Sequence, residues 1–360
     1  MNSNIVVSKE RDSNLELYRI LVMLLIVAHH YIVNSGLMPL LEQSPFDGRT
    51  LSMYVAGMWG KTGINCFVLI TGYYMCRSRI TVHKFLKLLL EVMFYKIVIY
   101  LVFLLSGYEP FTLKGLLKSL TPISGINSNF TGCYLVFFLF IPFLNVLLNG
   151  LNRKGHLLLL GLSLGVYTIL GSLPKFHISL NYVTWFSILY FIGAYLRTYD
   201  CFGIKPHWWK WIALASIVAS VASVIGILWV DMRFRLSISP YGLVSDSNRI
   251  FAVTTGISLF MAFKHLKLRR IKIINLVARS AFGVLLIHAN SDTMRRWLWV
   301  DICGNAENYM LNSTPPILHL LICVLIIYAV CTLIDYLRIT LVEVPLFRWI
   351  DKIKLMKLNR

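Results

Sequence analysis

The sequence predicts an all-α fold: a polytopic transmembrane helix bundle of about ten spans, with both termini cytoplasmic. Three features carry that prediction. Of the 360 residues, 57% are hydrophobic and 14% charged, against roughly 45–50% and about 25% in soluble domains. The apolar residues fall mostly in runs of about 20, the length at which a helix crosses a hydrocarbon core. The basic residues cluster between those runs, as they do in cytoplasmic loops. A soluble globule of this composition would expose large apolar patches and aggregate. One membrane domain is therefore expected over 15–340, between a cytoplasmic segment 1–14 and a basic cytoplasmic tail 341–360.

The first span, 15–34, follows the polar start MNSNIVVSKERDSN. That start lacks a signal-peptide core, so the span is expected to be retained as an anchor. The second, 56–76, contains Gly57, Gly60, Gly63 and Gly72 and is a candidate for a broken helix. Further spans are expected at 85–106, 131–150, 156–172, 182–198, 209–230, 248–265, 273–291 and 316–340. The longer loops 107–130, 231–247 and 292–315 carry Pro, Gly, Asn and Ser. They either form part of an acceptor site or cap the bundle.

Loop charge orients the bundle. With the N-terminus inside, 22 of the 35 Lys and Arg fall on that side and 10 on the other. The bias places both termini in the cytoplasm and requires an even number of spans. The net charge of +19 is then a topology signal plus contact with anionic lipid, not a nucleic-acid footprint. The seven cysteines are odd in number and form no close C-x-x-C pair, so neither a disulfide framework nor a metal site is expected. Trp208, Trp209 and Trp211 read as an interfacial aromatic belt. His83, His156, His207 and His265 read as solvated loop residues.

The first span holds the most costly residues. Ionisable side chains inside a membrane each need a reason. Glu16 and Arg19 are three apart and can pair on one helical face. His30 lies eleven residues beyond Arg19, close to three full turns, so it shares that face about 16 Å further on. His29 is rotated by about 100° and reads as a neighbour that packs or tunes. A buried neutral imidazole is suited to take a proton from an attacking hydroxyl. The alternative is a histidine that only bonds a neighbouring helix. His288 and Asn290, at the end of the ninth span, either bind an acceptor or cap the helix. Arg279, further inside, needs a partner, with Asp335 and Glu343 as candidates.

These residues resemble a family. E-x-x-R followed by ten residues and His is similar to the first helix of the membrane acyltransferase 3 family. GINCFVLITGYYM (63–75), NFTGCYLVFFLFIPFLNVL (129–147), WFSILYFIGAYLR (185–197), ARSAFGVLLIHANS (278–291) and LVEVPLFRWIDK (341–352) resemble its further stretches, in family order. Thr71 stands where the family usually has Ser. The resemblance implies a bacterial surface-polysaccharide O-acetyltransferase type in the inner membrane. It implies acyl-CoA, usually acetyl-CoA, as a cytoplasmic donor substrate rather than a bound cofactor, and a glycan hydroxyl as acceptor.

On that footing His30 is the expected base, with Glu16 and Arg19 orienting the site. Arg77, Arg79 and Lys84 are expected to meet the CoA phosphates, although Arg-Ser-Arg is tighter than the family's usual spacing of the two arginines. Positive-inside anchoring is the plainer alternative for these cations. Asn65, Thr71 and Tyr73 are expected to line the cavity. The expected partners are the bilayer, acyl-CoA and a glycan. The competing readings are a transporter or flippase of lipid-linked sugars, against which stands the absence of an inverted repeat, and another polysaccharide-assembly protein such as a membrane-embedded glycan polymerase, against which stands the lack of an external loop longer than about 25 residues.

Overall fold

A computed structural model describes residues 12–123, 129–173, 176, 178–179, 181–199 and 203–358. The predicted N-terminal segment up to residue 11, and Lys175, lie outside the described residues. Among those described there are helices and no strands.

The helices in order are α1 (Ser13–Val33), α2 (Met38–Gln43), α3 (Gly48–Gly57), α4 (Gly60–Met75), α5 (Val82–Leu105) and α6 (Leu113–Leu120). There follow α7 (Phe130–Gly150), α8 (Arg153–Leu164), α9 (Tyr182–Thr198), α10 (Trp209–Phe234) and α11 (Ile250–Lys264). The last third holds α12 (Lys272–Arg279), α13 (Ala281–His288), α14 (Asp292–Arg296), α15 (Asn305–Leu311), α16 (Pro316–Arg338) and α17 (Val344–Leu358).

Among the described residues, six helical segments are long and apolar enough to cross a membrane, or seven if α12–α13 and α14–α15, bent by 97°, count as one span. The chain is a multi-pass helical membrane protein. Helices α4, α9 and α11 are apolar but have 16, 17 and 15 residues. At 1.5 Å per residue they fall short of a core of about 30 Å. They are also well covered, with Trp185, Phe186, Leu189 and Tyr190 of α9 fully buried.

The outer helices show the complementary pattern. Leu101, Val102 and Leu105 on α5, Phe143 and Val146 on α7, and Leu325, Ile326 and Leu333 on α16 are all exposed. In lipid such a face carries no penalty, because the solvent there is as apolar as leucine.

Packing at the centre depends on glycine. A Cβ on Gly72 of α4 would stand 2.7 Å from the Tyr190 carbonyl oxygen, and one on Gly193 of α9 would stand 2.7 Å from that of Leu69. Each helix lays its backbone against the other where no side chain intervenes, the small-residue contact of membrane helices.

Several elements differ from the sequence reading. The expected break in the second span falls at Met58–Trp59, between α3 and α4, while Gly63 and Gly72 continue the helix. Their bare backbones receive Ile26 and Tyr190, so these glycines serve contact rather than bending. The long loops contain α6, α14 and α15. The tail expected at 341–360 continues the last span as helix, through a wide turn at Ile339–Glu343 into α17.

His156 is not solvated: it is buried, and its Nε2 donates to the Phe191 carbonyl at 3.0 Å. Trp209 turns inward and is 4% exposed, while Trp208 and Trp211 stay out. A sequence pattern cannot separate these histidines and tryptophans, because the neighbouring helix decides which way each faces.

The two ends of the bundle are chemically distinct. At one end Ser13 donates to Asn275 at 2.9 Å, and Asn14 donates to the Lys264 carbonyl at 3.0 Å. The opposite end gathers the last turns of α1 and α13 with the first turns of α4, α7 and α9.

Candidate active site

Two rings from distant parts of the chain meet near the ends of α1 and α13. His30 Nδ1 lies 2.9 Å from His288 Nε2, and His288 Nδ1 lies 2.6 Å from the Val284 carbonyl oxygen. The protons can be assigned from the acceptor. A carbonyl only accepts, so His288 carries its proton on Nδ1. For neutral imidazoles its Nε2 is then a lone pair. His30 therefore donates from Nδ1, and its own Nε2 keeps a lone pair. The geometry delivers a base whose tautomer is fixed by a partner, itself fixed by backbone.

His30 lines a cavity of about 870 Å³ bounded by α4, α5, α6, α7 and the α13–α14 corner. Asn290 and Ser291 lie on the same wall. Asn290 Nδ2 donates to the Leu286 carbonyl at 3.0 Å, which holds the side chain at the rim.

His29 is engaged elsewhere. Its Nδ1 donates to the Gly57 carbonyl at 2.5 Å, and a Cβ on Gly60 would collide with its ring. It clips α1 to the α3–α4 corner.

Glu16 and Arg19 form an ion pair of 2.8 Å, with Glu16 almost fully buried. Arg19 sits about three turns and Glu16 about four turns from His30, toward the opposite end of α1. They share its face but not its cavity.

The three α4 residues expected in the cavity bond to other helices instead. Asn65 is saturated: its Nδ2 donates to the Ser247 carbonyl at 2.6 Å, and its Oδ1 accepts from Trp185 Nε1 at 2.9 Å. Thr71 pairs with the Tyr134 hydroxyl at 3.0 Å. The Tyr73 hydroxyl accepts from Arg197 at 2.8 Å. None of the three lines the His30 cavity.

Of the expected phosphate contacts, Arg77 and Arg79 are exposed on the α4–α5 turn. Lys84 folds back to donate to Ser78 Oγ at 2.6 Å and the Arg79 carbonyl at 2.8 Å.

Two cationic groups are assembled by the fold from residues far apart in the sequence. Lys87, Arg270, Lys272 and Arg279 surround a pocket of about 460 Å³ with Asn275. Because Asn275 bonds Ser13, this pocket adjoins the start of α1. At the other end, Lys61, Lys96, Lys114, Lys118 and Arg295 border the His30 cavity. Arg279 finds its expected partner in Glu343, at 3.8 Å. Lys96 and Arg279 carried a sequence signal as charges inside apolar runs, and Lys87 as a cation that follows Lys84 after the second span, where phosphate contact or positive-inside anchoring is expected. The others are ordinary loop cations until the fold collects them.

Neither a curated protein nor a solved structure matches the chain. The acyltransferase-domain family model matches residues 12–336, taking in both histidines and every helix from α1 to most of α16. The chain therefore belongs to the acyltransferase 3 family.

Proposed function

We propose that the protein is an integral membrane O-acyltransferase of the bacterial cytoplasmic membrane. It moves an acyl group, acetyl in the first instance, from cytoplasmic acyl-CoA to a hydroxyl of a cell-surface or lipid-linked glycan. The observation that carries this reading is the lone pair of His30 Nε2, held by His288 beside a cavity large enough for a sugar.

The chemistry follows from that atom. The acceptor hydroxyl gives its proton to His30 Nε2 as its oxygen attacks the thioester carbonyl. The C–O bond forms, the C–S bond breaks, and the proton passes from His30 to the departing thiolate, giving free CoA. The His30 imidazolium formed in between is steadied by its Nδ1–H bond to His288.

Arg19 stands about 16 Å from His30 along the helix, too far to steady an oxyanion there. It is assigned to the donor, whose extended pantetheine arm runs along this face. The basic pocket of Lys87, Arg270, Lys272 and Arg279 receives the CoA phosphates, with Arg77, Arg79 and Lys84 at the same end. Paired guanidinium donors suit phosphate oxygens, and lysines add point charge.

Ten passes with both termini cytoplasmic fit this division of labour. The loop charges favour it, and it requires the shorter apolar helices α4, α9 and α11, extended by their flanking loops, and the bent α12–α13 to serve as passes beside the six long helices.

The test is transfer of label from acetyl-CoA in isolated membranes. His30→Ala should lower it about 10²- to 10⁴-fold, the usual worth of a general base, with unchanged membrane insertion. Full activity in that variant would remove His30 as the base. Transfer to none of a panel of acceptors would favour a transporter.

A further inference from the structure

The wall around His30 has a strong charge bias. Five cations border the cavity: Lys61 from α4, Lys96 from α5, Lys114 and Lys118 from α6, and Arg295 from α14. One carboxylate, Asp292, is on the same wall, and it is spent on Arg295 at 2.8 Å. Lys61 Nζ donates to the Tyr182 hydroxyl at 2.6 Å and lies 5.3 Å from that ring's centre. A phenol orients the ammonium and leaves its charge in place. Lys114 and Lys118 are four apart on α6 and exposed, and no carboxylate pairs with either among the described residues.

Topology signals do not explain this group. In the orientation proposed above it lies on the outer side, where the positive-inside bias should thin the basic residues. Low-dielectric walls focus the field of such a cluster on whatever enters.

We infer that the acceptor is anionic: a glycan bearing a carboxylate or phosphate close to the hydroxyl that is acylated. Resting on the acyltransferase reading, this inference names the substrate class of that site. Lys61 and Arg295 stand on the cavity wall with His30 and hold the negative group. Lys114 and Lys118 draw the glycan in from the mouth. The neutral hydroxyl is presented to His30 Nε2 while the charge stays on the lysines, so the imidazole is not spent on an ion pair.

The test uses the full-length protein in detergent with matched acceptors. One is a uronic-acid oligosaccharide and another its carboxyl-reduced neutral counterpart. A third is a glycolipid whose only charge is phosphate. Expected is a kcat/KM at least tenfold higher for the acidic sugar or the phosphate glycolipid than for the neutral sugar. Which of the two wins identifies the source of the charge.

That preference should shrink with added salt. It should weaken in the Lys114→Ala/Lys118→Ala double variant, collapse toward unity when Lys61→Met is added, and return to the full value in Lys114→Arg/Lys118→Arg, while KM for acetyl-CoA stays put. Equal use of charged and neutral acceptors overturns the inference and leaves the acyltransferase reading intact. Conversely, calorimetric binding of the acidic sugar to His30→Ala, with no transfer by the wild type to any acceptor, would sink the activity and keep the anion site.

Discussion

At the scale of single residues, the two histidines of α1 have parted company. His30 donates to His288 and His29 to Gly57. Because His288 holds the His30 tautomer, His288→Ala should lower kcat about a hundredfold with little change in either KM. It would leave His30 in place without the acceptor that orients it. His288→Gln, whose side-chain oxygen can accept from Nδ1, should recover part of the loss. Equal damage in both variants would mean that the ring only fills space.

The sequence makes His30 visible because a histidine inside a span is costly and shares a face with Glu16 and Arg19. It cannot show that His288, 258 residues away, meets that ring. Nor can it show that Asn65, as polar as any cavity residue, is consumed by Trp185 and Ser247. Spacing reports which residues share a helix face, and only packing reports what the face meets.

At the scale of elements, the α4–α9 crossing lays backbone on backbone at Gly72 and Gly193. Gly193→Val should force the backbones apart, an overpacking cost of about 1–3 kcal/mol or more. A lowered midpoint of thermal unfolding in detergent would register it. Gly150→Ala, where an added Cβ meets nothing within 4 Å, is the matched control and should be neutral. Unchanged stability in Gly193→Val would show that the helices can separate cheaply.

Six of the ten expected spans coincide with long apolar helices, since apolar run length is read directly against bilayer thickness. The short helices in the long loops are less so. In α6, LKGLLKSL, lysines and leucines share eight residues, and length alone does not distinguish a surface helix from a turn.

Across the whole molecule, the two-sided arrangement is open to a labelling experiment. In a background freed of its seven native cysteines, Lys114→Cys should react with a membrane-impermeant maleimide in intact cells. Arg153→Cys should react only after permeabilisation. The reverse pattern would invert the bundle and move the donor pocket outside.

A second global feature is the charge cluster that joins the middle of the chain to its end. Arg338, 6% exposed, binds Asp335 at 2.9 Å, Glu343 at 2.8 Å and Glu91 at 3.1 Å. Tyr95 donates to Asp335 at 2.8 Å, and Lys87 reaches Glu343 at 2.6 Å. Arg338→Met leaves three buried carboxylates short of their shared cation. Stability should fall by about 3–5 kcal/mol, the cost of breaking a buried pair from one side, read as lost thermal stability or lost protein in the membrane.

The cluster also bears on how the protein is made. Glu91 leaves the ribosome 247 residues before Arg338. Through that interval α5 lies in the membrane with an acid whose arginine partner has yet to be translated, and Lys87, four residues earlier on the same helix, is the cation already at hand. Arg338 joins only with α16, so the full set of charges around Glu91 closes late in synthesis.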